Sequence, residues 1–84
     1  MNYQKTYYYL DGKTKKSVVE YGPDGKLTKY TEYYSDGKTI DYINELNQKE
    51  EVIKTTCYYP DGNIKEVQYS KEYYKKIIQI NKGE

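Results

Sequence analysis

The chain contains no arginine, histidine, tryptophan, phenylalanine or alanine, and it has one cysteine and two prolines. Each absence removes a class of function. Without histidine there is no side chain that titrates near neutrality, and without arginine there is no planar clamp for carboxylates or phosphates. Ser17, Ser35 and Ser70 have no neighbouring base to activate them, and Cys57 has no histidine partner. Glu50 and Glu51 are adjacent, so on a strand they point to opposite faces and cannot act as a pair. No enzymatic activity is expected. No cofactor is expected either, because the glycines belong to turns and form no glycine-rich phosphate-binding loop.

A single cysteine excludes an internal disulfide, and Cys57 reads as a small, partly buried hydrophobe in an alternating segment. Tyrosine apart, apolar residues never run more than two together. That excludes a transmembrane helix and leaves no signal peptide in view. The expected location is secreted or at a cell surface if an export signal has been removed, and otherwise cytoplasmic. The formal net charge is +1, from 14 basic and 13 acidic residues. Such a balance gives little attraction to nucleic acid or to an anionic membrane. Lys15-Lys16 and Lys75-Lys76 read as solvated faces and edge protection.

What the chain does have is tyrosine, 14 in 84 residues, and a repeat. Tyr-Tyr-x-Asp-Gly recurs at Tyr8-Tyr9-Leu10-Asp11-Gly12, Tyr33-Tyr34-Ser35-Asp36-Gly37 and Tyr58-Tyr59-Pro60-Asp61-Gly62. A further Asp-Gly lies in Tyr21-Gly22-Pro23-Asp24-Gly25-Lys26. A fixed period of this size means one supersecondary unit used several times. The units are taken as 8–32, 33–57 and 58–82, within a single domain over 1–84. Each Asp-Gly is a turn: glycine takes the left-handed conformation and aspartate bonds nearby amides. Pro23 and Pro60 add the signature of a type I turn with a bulge, hence a hairpin. Asp11, Asp24, Asp36 and Asp61 sit on separate turns and do not converge on the six or more oxygens calcium requires, so no metal is expected.

The stretches between turns are rich in Tyr, Thr, Ile and Val, which form strands. Seven strands are predicted, at roughly 3–9, 14–21, 27–34, 39–46, 51–59, 64–69 and 76–81. Short turns connect neighbours, so the fold class is all-β, an antiparallel meander. Two turns are degraded. Asn47-Gln48-Lys49-Glu50 is set against Pro23-Asp24-Gly25-Lys26, and Ser70 to Tyr74 replaces the sixth turn without any glycine. The repeat makes 76–81 a strand, whereas the i,i+4 pairs Tyr73/Ile77 and Tyr74/Ile78 fit a short C-terminal helix. Simple alternation puts Ile40, Tyr42, Asn44 and Leu46 on one face, and neither sheet face is cleanly apolar.

The units Tyr21-Gly22-Pro23-Asp24-Gly25-Lys26-Leu27-Thr28 and Tyr58-Tyr59-Pro60-Asp61-Gly62-Asn63-Ile64 resemble the tyrosine-aspartate (YD, or Rhs-type) repeats of bacterial surface and toxin proteins. The runs Tyr34 to Glu45 and Val52 to Gly62 more closely resemble a Tyr-rich repeat family of unknown function from phytoplasmas. The resemblance spans about Tyr7 to Gln68 and transfers no activity. It implies a wall-less, plant-infecting bacterium and a secreted or surface-displayed protein.

The tyrosines have two readings. They stabilise a sheet by cross-strand packing, or they form a binding surface of large, rigid rings. The candidate binding residues are Tyr8, Tyr9, Tyr33, Tyr34, Tyr58 and Tyr59, with each face receiving one ring from every repeat. The leading expectation is a non-enzymatic module that binds a host or bacterial protein through a Tyr-lined face. A carbohydrate-binding repeat and a self-associating structural repeat are the alternatives, with glycan or a second copy as partner. The thin core points to a homo-oligomer made by packing sheet faces or pairing edge strands.

Overall fold

Five tight turns set the architecture, over residues 9–12, 22–25, 34–37, 47–50 and 59–62. In each, the N–H of the last residue donates to the carbonyl of the first, at 2.9–3.0 Å. The last residue is left-handed every time: Gly12, Gly25, Gly37, Glu50 and Gly62 have φ between 62° and 93°. The molecule, a computed structural model, is described over the backbone of residues 2–82 and over side chains as far as Lys76. The strands are β1 Tyr3–Tyr8, β2 Lys15–Tyr21, β3 Leu27–Tyr33, β4 Ile40–Leu46, β5 Val52–Tyr58 and β6 Ile64–Tyr69. They form one sheet in sequential order, and every neighbouring pair is antiparallel. The all-β meander expected from the repeat is therefore what the chain forms.

Every hairpin carries a bulge just after its turn. The register jumps from Tyr7↔Ser17 to Tyr8↔Lys15 and leaves Lys16 without a cross-strand partner. The same step leaves out Thr28, Asp41, Ile53 and Lys65 in the later hairpins. The bulge re-aims the residues before it. Ile40 pairs with Tyr33 and Tyr42 with Glu32, so Ile40 and Tyr42 lie on opposite faces, not on the shared face that simple alternation gives.

The fourth turn also differs from its expected alignment. Asn47 takes the place of Gly22 and Glu50 that of Gly25: Gly22 N–H donates to Lys26 O, and Asn47 N–H to Glu51 O. Asn47 Oδ1 then accepts from the N–H groups of Lys49 and Glu51 at 2.8 and 3.0 Å, doing a turn aspartate's work from two positions earlier in the turn. Glu50 is left-handed without being glycine, and its Oε2 accepts from Leu27 N–H on the neighbouring turn at 2.9 Å.

The sixth turn is absent. The segment 76–81, a strand on the repeat's logic, lies instead within the helix α1, Lys71–Lys82. Ser70 starts it. Its N–H donates to Ile53 O, completing the β5–β6 ladder, and its Oγ accepts from Tyr73 N–H at 3.2 Å as an N-cap. Glu72 in the first turn complements the helix dipole. Ser70 to Tyr74 has neither an Asp-Gly nor the asparagine that replaces it in the fourth turn, and the Tyr and Ile spacing then favours the helix.

The sheet is a single layer. The molecule measures 52 × 33 × 16 Å, and no described side chain is fully enclosed. Among the described side chains only Val18 and Val19 of the apolar residues, and Ser17, Thr31 and Thr56 of the polar ones, are buried. All lie on the inner strands, where neighbouring strands provide the cover that a second layer would otherwise give.

Candidate functional site

Cross-strand partners share a face, so the register sorts the tyrosines. One face carries the row Thr6, Val18, Thr31, Ile43, Thr56 and Val67, one residue from each strand in turn. Beside it, toward the β1–β2, β3–β4 and β5–β6 turns, runs a second row in which Tyr8, Tyr33 and Tyr58 alternate with Lys15, Ile40 and Ile64. On the other side runs a charged row, where Lys29 meets Glu20 and Lys54 meets Glu45, each at 3.9 Å. Pairs this exposed contribute little energy. This face therefore has an apolar half and a charged half.

Successive members of the series Tyr8, Tyr33 and Tyr58 are two strands apart, about 10 Å at ordinary strand spacing. They do not stack on each other. Instead the residue between fills the gap: Lys15 Nζ lies 4.4 Å from the Tyr33 ring centre, a close cation–π contact. Tyr8, on the edge strand, is 52% exposed, while Tyr33 and Tyr58 are half-buried.

Tyr9, Tyr34 and Tyr59 begin their turns on the opposite face and do something different. The Tyr9 hydroxyl donates to Tyr33 O at 3.4 Å, and the Tyr34 hydroxyl to Tyr58 O at 2.5 Å. Each ring thus reaches over one strand to the backbone of the next repeat. The bulged residue packs beneath it: Lys16 Nζ is 6.0 Å from the Tyr9 ring and Lys65 Nζ is 6.0 Å from the Tyr59 ring. Desolvation pushes the Tyr34 hydroxyl's pKa up. Tyr59 is the third member of the series, 47% exposed, and its hydroxyl has no acceptor among the described residues.

The six sequence-nominated tyrosines therefore divide into two rows, one on each face at the same end of the sheet. Sequence reading missed that Tyr9 and Tyr34 hold one repeat to the next. The signal was there in the invariant Tyr-Tyr pair, but only the register shows which carbonyl each hydroxyl meets. Tyrosines outside the repeat motif were also missed. Tyr3 and Tyr21 stack at 4.9 Å between centroids, and Tyr69 and Tyr73 at 5.6 Å, joining the sheet to α1. Tyr30 and Tyr42 stack at 6.1 Å on the inner strands. The Tyr30 hydroxyl bonds Glu32 at 2.6 Å, and that bond, with burial, pushes the Tyr30 pKa up to about 12.

The turn aspartates are engaged locally. Asp11 Oδ1 accepts from Lys13 and Thr14 N–H, and Asp36 Oδ1 from Lys38 and Thr39 N–H, all at 2.9 Å. The Thr39 hydroxyl adds a bond to Asp36 Oδ2 at 2.6 Å, and these bonds hold the Asp36 carboxyl at about 2. Cys57 is half-buried near the end of β5, beside Glu66 and Tyr42. A shallow groove of about 450 Å³ separates α1 from the β4–β5 hairpin, lined by Asn47, Val52, Ile53, Ser70 and Tyr73 among others. Among the described residues no helix is long and apolar enough to cross a membrane.

This geometry defines an open, single-layer antiparallel repeat sheet whose units are joined by their own tyrosines. The family described as protein of unknown function (DUF2963) matches residues 8–57 and, a second time, residues 33–82, and the chain belongs to that family. The two matches are displaced by 25 residues (33 − 8), the spacing of the Tyr-Tyr-x-Asp-Gly motif. No curated protein and no solved structure matches the chain.

Proposed function

We propose that the protein is a non-enzymatic interaction module that binds a protein partner through the apolar half of the face bearing Tyr8, Tyr33 and Tyr58. The observation that carries this reading is the missing second layer. Two adjacent rows, of Tyr, Ile, Val and Thr with Lys15, cross all six strands, and among the described residues no second layer packs on them, although Val18, Thr31 and Thr56 are covered by their neighbours in the sheet. Tyr8, Ile64 and Val67 at the margins are 52%, 59% and 40% exposed. Rigid aromatic rings beside β-branched side chains suit a protein surface, and the charged row alongside would orient it. The resemblance to bacterial surface repeats supports placing the module in a secreted or surface-displayed setting.

The test is saturable binding of a purified, identified partner to the full chain, compared with Tyr8→Thr and Tyr33→Thr variants. Threonine keeps strand propensity and removes the ring. Loss of affinity in both variants, with unchanged circular dichroism, supports the reading. Undiminished binding in both removes the site from this face. Competition by a soluble glycan would move the assignment to carbohydrate.

A further inference from the structure

We propose that the two edges of the sheet are complementary halves of one interface, so that β6 of one molecule pairs with β1 of a second copy, head to tail. This rests on the inter-repeat contacts, not on the partner-binding reading above. Within the chain the β2–β3 and β4–β5 junctions are the same interface used twice. Val18 faces Thr31 and Glu20 faces Lys29 in the first; Ile43 faces Thr56 and Glu45 faces Lys54 in the second. Tyr9 spans the first junction and Tyr34 the second, each hydroxyl meeting the carbonyl of a tyrosine 24 residues on.

Continuing the series defines a third junction whose two halves are the free edges. The last hairpin is one residue short: Tyr59 N–H meets Asn63 O, whereas Tyr34 N–H meets Thr39 O. Allowing for that, Val67 faces Thr6 of the second copy, Gln68 faces Lys5, and Glu66 faces Tyr7. The row that runs Thr6, Val18, Thr31, Ile43, Thr56, Val67 begins with threonine and ends with a β-branched apolar residue. A second copy therefore extends its alternation without a break. The Tyr59 hydroxyl, which has no acceptor among the described residues, meets the carbonyl of Tyr8, the repeat equivalent of Tyr33 and Tyr58.

The backbone is set for this pairing. Tyr9 N–H points into the β1–β2 ladder, so alternation aims the N–H groups of Tyr8, Thr6 and Gln4 outward. Ser70 N–H points to Ile53, so those of Tyr69 and Val67 point outward on β6. Helix α1 leaves on the β5 side, over the groove lined by Asn47, Val52 and Ile53, and begins after the outward-facing residues of β6. A head-to-tail contact does not close on itself after two copies, so association runs past the dimer to longer ribbons.

The experiment is sedimentation velocity of the full chain over a concentration series, with Thr6→Pro and Val67→Pro variants. Proline at either position removes an outward N–H and leaves the internal ladder intact. The expected result is growth beyond dimer for the natural chain and monomer for each variant alone. An equimolar mixture of the two variants gives a dimer and nothing larger, because one free β6 edge meets one free β1 edge. Tyr59→Phe, which touches no internal hydrogen bond, is expected to weaken association about five-fold, the effect of one hydrogen bond. A natural chain that stays monomeric at its solubility limit overturns the proposal. So does a proline variant that still self-associates, which would mean like-with-like edge pairing. Unchanged association of Tyr59→Phe overturns the register.

Discussion

The turn aspartates and the tyrosines Tyr9 and Tyr34 each repeat one job along this chain, and both jobs include hydrogen bonds to backbone. At Asp36 the acceptors are a carboxylate's, and the bonds from Thr39 and Lys38 hold its pKa at about 2. Asp11 is lowered in the same direction, chiefly by Thr14. A carboxyl whose folded pKa lies below its unfolded value of about 3.9 stabilises the fold above that pH, and the contribution fades as pH falls towards the folded value. Stability is therefore expected to decline between about pH 4 and pH 2, with a shallower acid limb in Asp36→Asn, as followed by urea midpoints across that range. A natural-chain profile as shallow as the variant's would remove Asp36 from the account. For tyrosine the comparison is internal. Tyr34→Phe loses its bond to Tyr58 O and is expected to lower the thermal midpoint by about 4 °C. Tyr9→Phe, with a 3.4 Å bond, should lower it less, and Tyr59→Phe not at all in dilute solution.

Each hairpin is a strand, a left-handed turn and a bulge, and the turns at one end of the sheet touch each other. A Cβ on Gly37 would lie 2.8 Å from Thr14 Cγ2 and 3.1 Å from Lys15 N, whereas one on Gly12 would meet nothing within 4 Å. Both glycines have φ near +70°. Gly12→Ala should therefore cost only the left-handed penalty, about 1 kcal/mol, and Gly37→Ala at least twice as much, because backbone must also move. Equal midpoints in chemical denaturation would show that the third turn does not dock on the first. Glu50 shows that the position tolerates a side chain when space is open and the carboxylate finds an amide, here Leu27 N–H. The elements were legible because Asp-Gly at fixed spacing names both the turn and its hand. A bulge was legible at the Pro23 and Pro60 hairpins from their turn signature, but no residue type marks Lys16, Asp41 or Ile53 as unpaired. One consequence was a face assignment for Ile40 that the register reverses.

The whole molecule is a ribbon 16 Å thick with no enclosed side chain among those described. The heat-capacity change of unfolding scales with the apolar surface newly exposed, and for a conventional domain of this length it would be about 1.0–1.3 kcal/mol/K. A single-layer sheet exposes less on unfolding, so calorimetry of the dilute chain should give about half of that. A conventional value would mean that a second layer, from another copy or from α1, covers the sheet in solution. At this scale the sequence by itself determined the repeat, the turns, the meander order and the tyrosine content. Those are local matters, set by dihedral preference and by the shortness of the connections. Only the tertiary structure decided which tyrosines reach the next repeat's backbone and which face carries the apolar rows. It alone also decided that α1 replaces a seventh strand. These depend on register, and register is fixed by bulges and a one-residue-shorter hairpin whose effect appears only when the strands lie side by side.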